Sequence, residues 1–196
     1  MKSTRKNLRL KHYDYSKSGA YFVTVCVRER TCLFGNVTDG MMVANPAGKM
    51  IEEWWWKLPA KFPGIVADTY VVMPNHFHGI VVIVGADLCV RPGPGAKPTQ
   101  GAHAGAPLPT LMQWFKTMTT NAYIRGVKDH AWTVFPGKLW QRNYHEHVIR
   151  NDGELSTIRD CIVNNPLQWS LDRENPAATG RIASTDCAAI FAGELP

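Results

Sequence analysis

The chain has 196 residues, 45% of them hydrophobic and 19% charged, a balance that supports one domain with a real core and excludes an intrinsically disordered protein. Its formal net charge of +6 and pI of about 9.1 favour a polyanionic partner, because neutralising phosphates releases counterions; a solvated basic tail is the plainer alternative. Five scattered cysteines without a C-x-x-C pair, and no apolar stretch near the roughly 20 residues that cross a bilayer, argue against a disulfide framework, a cysteine zinc site or a membrane protein and for a cytoplasmic one.

The basic excess begins early, with Lys2, Arg5, Lys6, Arg9, Lys11 and Lys17 all ahead of the first apolar run. That run, Ala20 to Val27 (AYFVTVCV), is aromatic and β-branched and predicts a buried strand. A short strand near Met41 to Val43 leads to Pro46, which suits a first helical turn, and Met50, Ile51, Trp54, Trp55 and Leu58 then recur at helical spacing up to Pro63. Val66 to Met73 and Phe77 to Val84 predict a hairpin turning at Pro74-Asn75. Residues 85 to 107 are rich in Gly and Pro and predict a flexible insertion. Helical spacing returns from Leu108 to about Val127, with Lys116 and Arg125 available for the outer face, followed by a strand from Leu139 to His147 in which Trp140, Arg142 and Tyr144 alternate. A last helix starts from an Asn151 or Asp152 cap and stops at Pro166. This order predicts an α+β fold of the ferredoxin-like, split β-α-β kind over residues 1 to 176, an antiparallel or mixed sheet with helices on one face, and a motif-free tail from 177 to 196.

His76 and His78 stand two apart on a predicted strand, so both imidazoles leave the same face while Phe77 turns to the other. Two neutral imidazoles and an oxygen ligand can share a divalent cation that keeps open positions for a phosphate. An H-x-H pair alone is a weak signal, and two hydrogen-bonded histidines are its commoner meaning.

The surrounding string VVMPNHFHGIVVI at 71 to 83 resembles the His-hydrophobic-His (HUH) motif of the REP-associated tyrosine transposases, which process single-stranded DNA with repetitive extragenic palindromes. RLKHYDYSKSGAYFVTVCVRERTCLFG at 9 to 35 is similar to the opening segment of that family, and LWQRNYHEHVIRND at 139 to 152 with IRDCIVNNPLQW at 158 to 169 is similar to its closing one. The resemblance implies a ferredoxin-like nuclease domain that binds hairpin-forming single-stranded DNA and cleaves it with a divalent metal (Mg2+ or Mn2+) and a helical tyrosine, leaving a 5′-phosphotyrosine link. It further implies a third metal ligand four residues after the nucleophile, on the same helix face. In Cys161-Ile162-Val163-Asn164-Asn165 that ligand is Asn165, whose carboxamide oxygen suits a hard cation.

The nucleophile position itself holds Cys161. Its side chain is about 4 Å shorter in reach than a phenol, and a thiolate prefers softer targets than phosphorus. Three readings stand beside one another: a protein that binds DNA and metal without the covalent step, substitution by Tyr144 or another tyrosine, or an unexpected use of Cys161. A metal-dependent nuclease that activates water and a host-adapted, non-catalytic DNA-binding protein are the competing functions.

Other residues carry weaker expectations. Arg5, Arg9, Lys11, Arg28, Arg142 and Arg150 are candidates for phosphate contact, with Arg30 flanking the same strand. His145 and His147 repeat the two-apart spacing and can assist a metal or phosphate, though half-exposed polar residues are the commoner case. The block Trp54-Trp55-Trp56 cannot share one helix face, so it is mostly structural. Transposases of this kind occur as homodimers and as monomers, and the spacing does not choose between them.

Overall fold

The computed structural model describes residues 17 to 84 and 106 to 178. Arg5, Arg9, Lys11, most of the expected insertion at 85 to 107 and most of the tail lie outside the described residues.

Strand β1 (Gly19–Cys26) is buried along most of its length, which fits its apolar sequence and its central place in the sheet. A hairpin of β2 (Gly35–Thr38) and β3 (Met41–Ala44) follows and forms its own two-stranded sheet. Helix α1 (Pro46–Trp56) begins with Pro46 in its first turn and Asn45 at its N-cap, the Asn45 side chain accepting from Gly48 N at 2.9 Å. It stops sooner than its spacing predicts. Pro59 brings no N–H to the helical ladder, and the chain re-forms as a short α2 (Leu58–Lys61). Strands β4 (Ile65–Val72) and β5 (His76–Ile83) make the expected antiparallel hairpin. Helix α3 (Leu108–His130) crosses back, β6 (His145–Ile149) joins the sheet, and α4 (Asp152–Asn164) ends the regular fold, capped by the Asn151 side chain.

The main sheet runs β4-β5-β1-β6, with every neighbouring pair antiparallel. With α1 between β1 and β4, and α3 between β5 and β6, this is the split β-α-β arrangement expected from the element order. Helices α1 and α3 pack on one face, where Tyr21, Val23 and Val25 of β1 and Phe77, Val81 and Ile83 of β5 meet Trp55, Phe115 and Trp140 in the main core. Gly79 makes room there: a Cβ at this position would lie 2.7 Å from Trp55 Cζ2. Beyond the expected layer, α4 covers the opposite face, where Phe22, Ile80 and Ile149 meet Ile158, Cys161 and Ile162 in a smaller core.

Two boundaries move for identifiable reasons. The strand expected at 139 to 147 is interrupted: Trp140 still bridges Val27 beyond β1 while its side chain sinks into the core and donates from Nε1 to Thr119 Oγ1 at 2.9 Å, and the regular ladder begins only at His145. Between Trp140 and β6 the chain is a loop, and Lys116 Nζ donates to the carbonyls of Gln141 and Arg142 at 2.7 and 3.0 Å. The last helix likewise does not stop the chain at Pro166, which continues as a 3-10 helix over Asn165–Leu171.

Candidate metal centre

Registration of β1 against its two neighbours places the residues of the second face in rows. Cys26 is opposite His76; Thr24 is opposite His78 on one side and His145 on the other; Phe22 is opposite Ile80 and His147. Opposed residues of antiparallel strands share a face, so His76, His78 and His145 all point toward the layer of α4 and its 3-10 extension. The rings of His76 and His78 lie 4.5 Å apart, and Trp169 and Phe22 flank them at 6.0 and 5.4 Å.

Of the buried polar side chains among the described residues, all but Thr119 gather here: Thr24, Asn75, His76, His78, Asn165 and Asp172. Burying so many polar groups together costs folding free energy unless each is partnered, so such a cluster calls for a ligand or a hydrogen-bond network. A network exists on the sheet side. His78 Nδ1 is 2.8 Å from Thr24 Oγ1, and His76 Nδ1 is 2.9 Å from Asn75 Oδ1. The second contact sets a tautomer. The Asn75 amide nitrogen donates to the carbonyls of Arg30 and Glu174 at 2.9 and 2.7 Å, which fixes the carboxamide orientation and makes its oxygen the acceptor from His76. The ring proton of neutral His76 therefore sits on Nδ1, and Nε2 carries the lone pair.

On the opposite side the polar atoms lack well-formed partners. His76 Nε2 and Asn165 Oδ1 are both buried without a hydrogen bond of good geometry, although the Asn165 side chain lies close enough to His76 to favour its charged form. Asp172 Oδ2 lies 3.7 Å from His76 Nε2, and the ligand atoms of His76, His78 and Asp172 all fall within 4.8 Å of one another. Burial pushes the His76 pKa down against the opposing pull of Asp172, Glu174 and Asn165. His78 falls well below the ordinary histidine value, through burial first and then through His76 and His145. Both rings are thus held in the neutral form that ligates cations.

Cys161 faces the sheet from α4 on the side of the histidines, 3% exposed, within the smaller core. It is disulfide-bonded, so no thiolate stands at the position, while Cys26 and Cys32 are free. The scatter of cysteines along the chain gave no sign of this pairing, because sequence spacing does not report distance in the fold. Tyr144 packs against the main core on the opposite face of the sheet from the histidines. That placement argues against it as the substitute nucleophile: the strand expected to carry it begins one residue later, and its ring is used for packing.

The basic candidates divide by end of the sheet. Arg28 lies two residues beyond β1 and Arg142 in the loop before β6, both at the end where His76 begins β5. Among the described residues Arg28 pairs with Glu29 at 3.4 Å, a half-exposed contact worth little to stability. Arg30 reaches Glu174 at 3.0 Å, and both Glu29 and Arg30 hold left-handed backbone angles, φ 61° and 56°. Lys116, read from sequence as a solvent-facing helix residue, bends over the same end, where burial lowers its pKa to about 8. Arg150 follows β6 at the far end, about 17 Å along the strand from His145. His147 also turns from the centre, bonding Glu154 Oε1 at 2.7 Å. Trp55 is fully buried and Trp56 is 54% exposed, as one shared helix face could not hold the whole block.

No protein-family model matches the chain. It is 33% identical over 174 residues to an uncharacterised protein of Haemophilus influenzae, a match covering 86% of this chain and 92% of that one. Among solved structures it is similar to a REP-associated tyrosine transposase bound to a REP hairpin, with a TM-score of 0.52 and 20% identity over 82% of this chain and 73% of the other. Among the described residues, no helix is long and apolar enough to cross a membrane.

Proposed function

The chain belongs to one family with the Haemophilus influenzae protein and carries the fold of the REP-associated tyrosine transposase, and we propose that it is a transposase-like protein that binds hairpin-forming single-stranded DNA and holds a divalent cation with His76, His78 and Asn165. The observation that carries this reading is the pair of buried atoms without a well-formed hydrogen bond, His76 Nε2 and Asn165 Oδ1, on the face of the sheet that α4 covers. Two imidazoles and a carboxamide oxygen fit a Mn2+- or Mg2+-type ion. Such an ion supplies charge to polarise a phosphodiester.

The protein's own residues do the rest. Asn75 and Thr24 orient the imidazoles, and Arg28 and Arg142 offer guanidinium groups for phosphates at the same end of the sheet. The covalent half of the family chemistry has no phenol here. Cys161 stands in its place and Tyr144 lies on the other face, which favours binding without strand transfer. A water-using nuclease is the second reading, supported by the same buried atoms, since it needs only the cation.

The test is incubation with a labelled, hairpin-bearing single strand and Mn2+ or Mg2+. Binding without cleavage is the expected result, and cleavage without a protein adduct would favour the water-using nuclease. A DNA-linked protein would refute the non-covalent reading, and failure to bind the hairpin strand would refute the function proposed.

A further inference from the structure

The 3-10 helix after α4 ends at Leu171, and the next residue turns back onto the histidine face. Asp172 is 8% exposed. Its two oxygens have separate uses: Oδ1 accepts from Glu174 N at 2.7 Å, which fixes the carboxylate, while Oδ2 is directed at His76 Nε2 from 3.7 Å. The same turn is tied down from two further directions, by Asn75 Nδ2 donating to the Glu174 carbonyl and by Arg30 pairing with the Glu174 carboxylate. Asp172 is therefore held in position by contacts that leave Oδ2 uncommitted to any arginine or lysine among the described residues.

The spacing is that of ligands around one ion. With nitrogen and oxygen ligands at about 2.1 Å from a metal, neighbouring ligand atoms are separated by about 3.0 Å at right angles and by about 4.2 Å across the ion. The 3.7 Å between His76 and Asp172 falls inside that range, and the 4.8 Å within which all three residues' ligand atoms lie exceeds its upper end by about 0.6 Å. The buried Asn165 Oδ1, whose side chain also acts on His76, adds a second oxygen beside the same ring.

Resting on the metal reading above, we infer that Asp172 is a direct ligand, completing a centre of two histidines, one carboxylate and one carboxamide whose imidazoles favour Mn2+ over Mg2+. An anionic ligand lowers the net charge of the loaded centre by one, relative to two histidines and a carboxamide. Imidazoles favour first-row transition ions over Mg2+, and the carboxylate keeps Mn2+ and Fe2+ within the accepted range. Nothing in the spacing of Asp172 from the Cys161–Asn165 segment marks it as a ligand; the turn after the 3-10 helix brings it there.

Calorimetric titration of the full chain with Mn2+ and with Mg2+ tests the assignment, using the wild type, Asp172→Asn, Asp172→Ala and His76→Ala. Asp172→Asn keeps an acceptor for Glu174 N, so its fold is preserved, and circular dichroism checks this. The expected result is Mn2+ affinity reduced roughly 100-fold or more by Asp172→Ala, beyond the 10–100-fold typical of residues that only orient ligands. Asp172→Asn should weaken Mn2+ and Mg2+ binding together, because a carboxylate serves both ions. Mn2+ affinity unchanged in both Asp172 variants but lost in His76→Ala overturns the ligand role of Asp172 and leaves the metal reading standing. Absence of Mn2+ binding in the wild type overturns both.

Discussion

Replacing Asn75 by alanine probes the site where fold and proposed chemistry meet. Asn75 is 1% exposed and makes three hydrogen bonds: from His76 Nδ1 to its oxygen, and from its nitrogen to the carbonyls of Arg30 and Glu174. At about 1 kcal/mol net for each, their loss costs about 3 kcal/mol, and stranding the buried imidazole N–H raises the figure toward about 5 kcal/mol. Urea unfolding of Asn75→Ala should show that loss as a lower midpoint with an unchanged slope. The same variant frees the His76 tautomer and unties the turn that carries Asp172, so Mn2+ affinity should fall by roughly 10–100-fold. A stability loss below about 1 kcal/mol together with unaltered Mn2+ affinity would refute the claim that Asn75 organises the centre.

Three further outcomes follow from the geometry. Gly79→Ala sets a methyl group against Trp55 and Phe77 and should cost about 1–3 kcal/mol, read as a lower Tm, because the main core has no slack there. Asp68 is held below the ordinary carboxylate range, chiefly by its hydrogen bonds from Arg159. Its folded pKa lies under the unfolded one, so its contribution is present above about pH 4 and disappears as pH falls through the folded value. Asp68→Asn should thus destabilise at neutral pH and have no effect in strong acid, and equal losses at both would contradict the pairing. Affinity for a hairpin strand, followed by fluorescence anisotropy across a salt series, should lose about one unit of slope on Arg28→Ala or Arg142→Ala. Arg150→Ala, at the far end of the sheet, should leave the slope alone.

What could be read from the sequence follows a physical division. The histidine pair, the facing-away of Phe77 and the burial of β1 were legible because strand alternation is a local, two-residue rule that tertiary packing preserved. Asn165 came from the resemblance alone, and the structure sets it on the histidine face with its oxygen buried. Asn75 was visible only as half of a turn dipeptide, because its contacts join residues 45 and 99 positions away. Tyr144 was misplaced for a related reason: its alternation with Trp140 suggested a strand, but the fold spends Trp140 on the core and begins the ladder at His145.

Lys116 and Asp172 show the same limit in its strongest form. A helix wheel assigns Lys116 to solvent, yet the long side chain reaches the carbonyls of Gln141 and Arg142 and so positions the loop that carries Arg142. Asp172 has no period to betray it. Its place depends on a proline-containing 3-10 helix, a clamp from Asn75 and an ion pair from Arg30, none of them encoded within its own neighbourhood. The elements that fix the sheet are local and thus predictable. The groups that would complete the proposed centre are delivered by loops whose course is decided by distant partners, so this site is less legible than the fold that supports it.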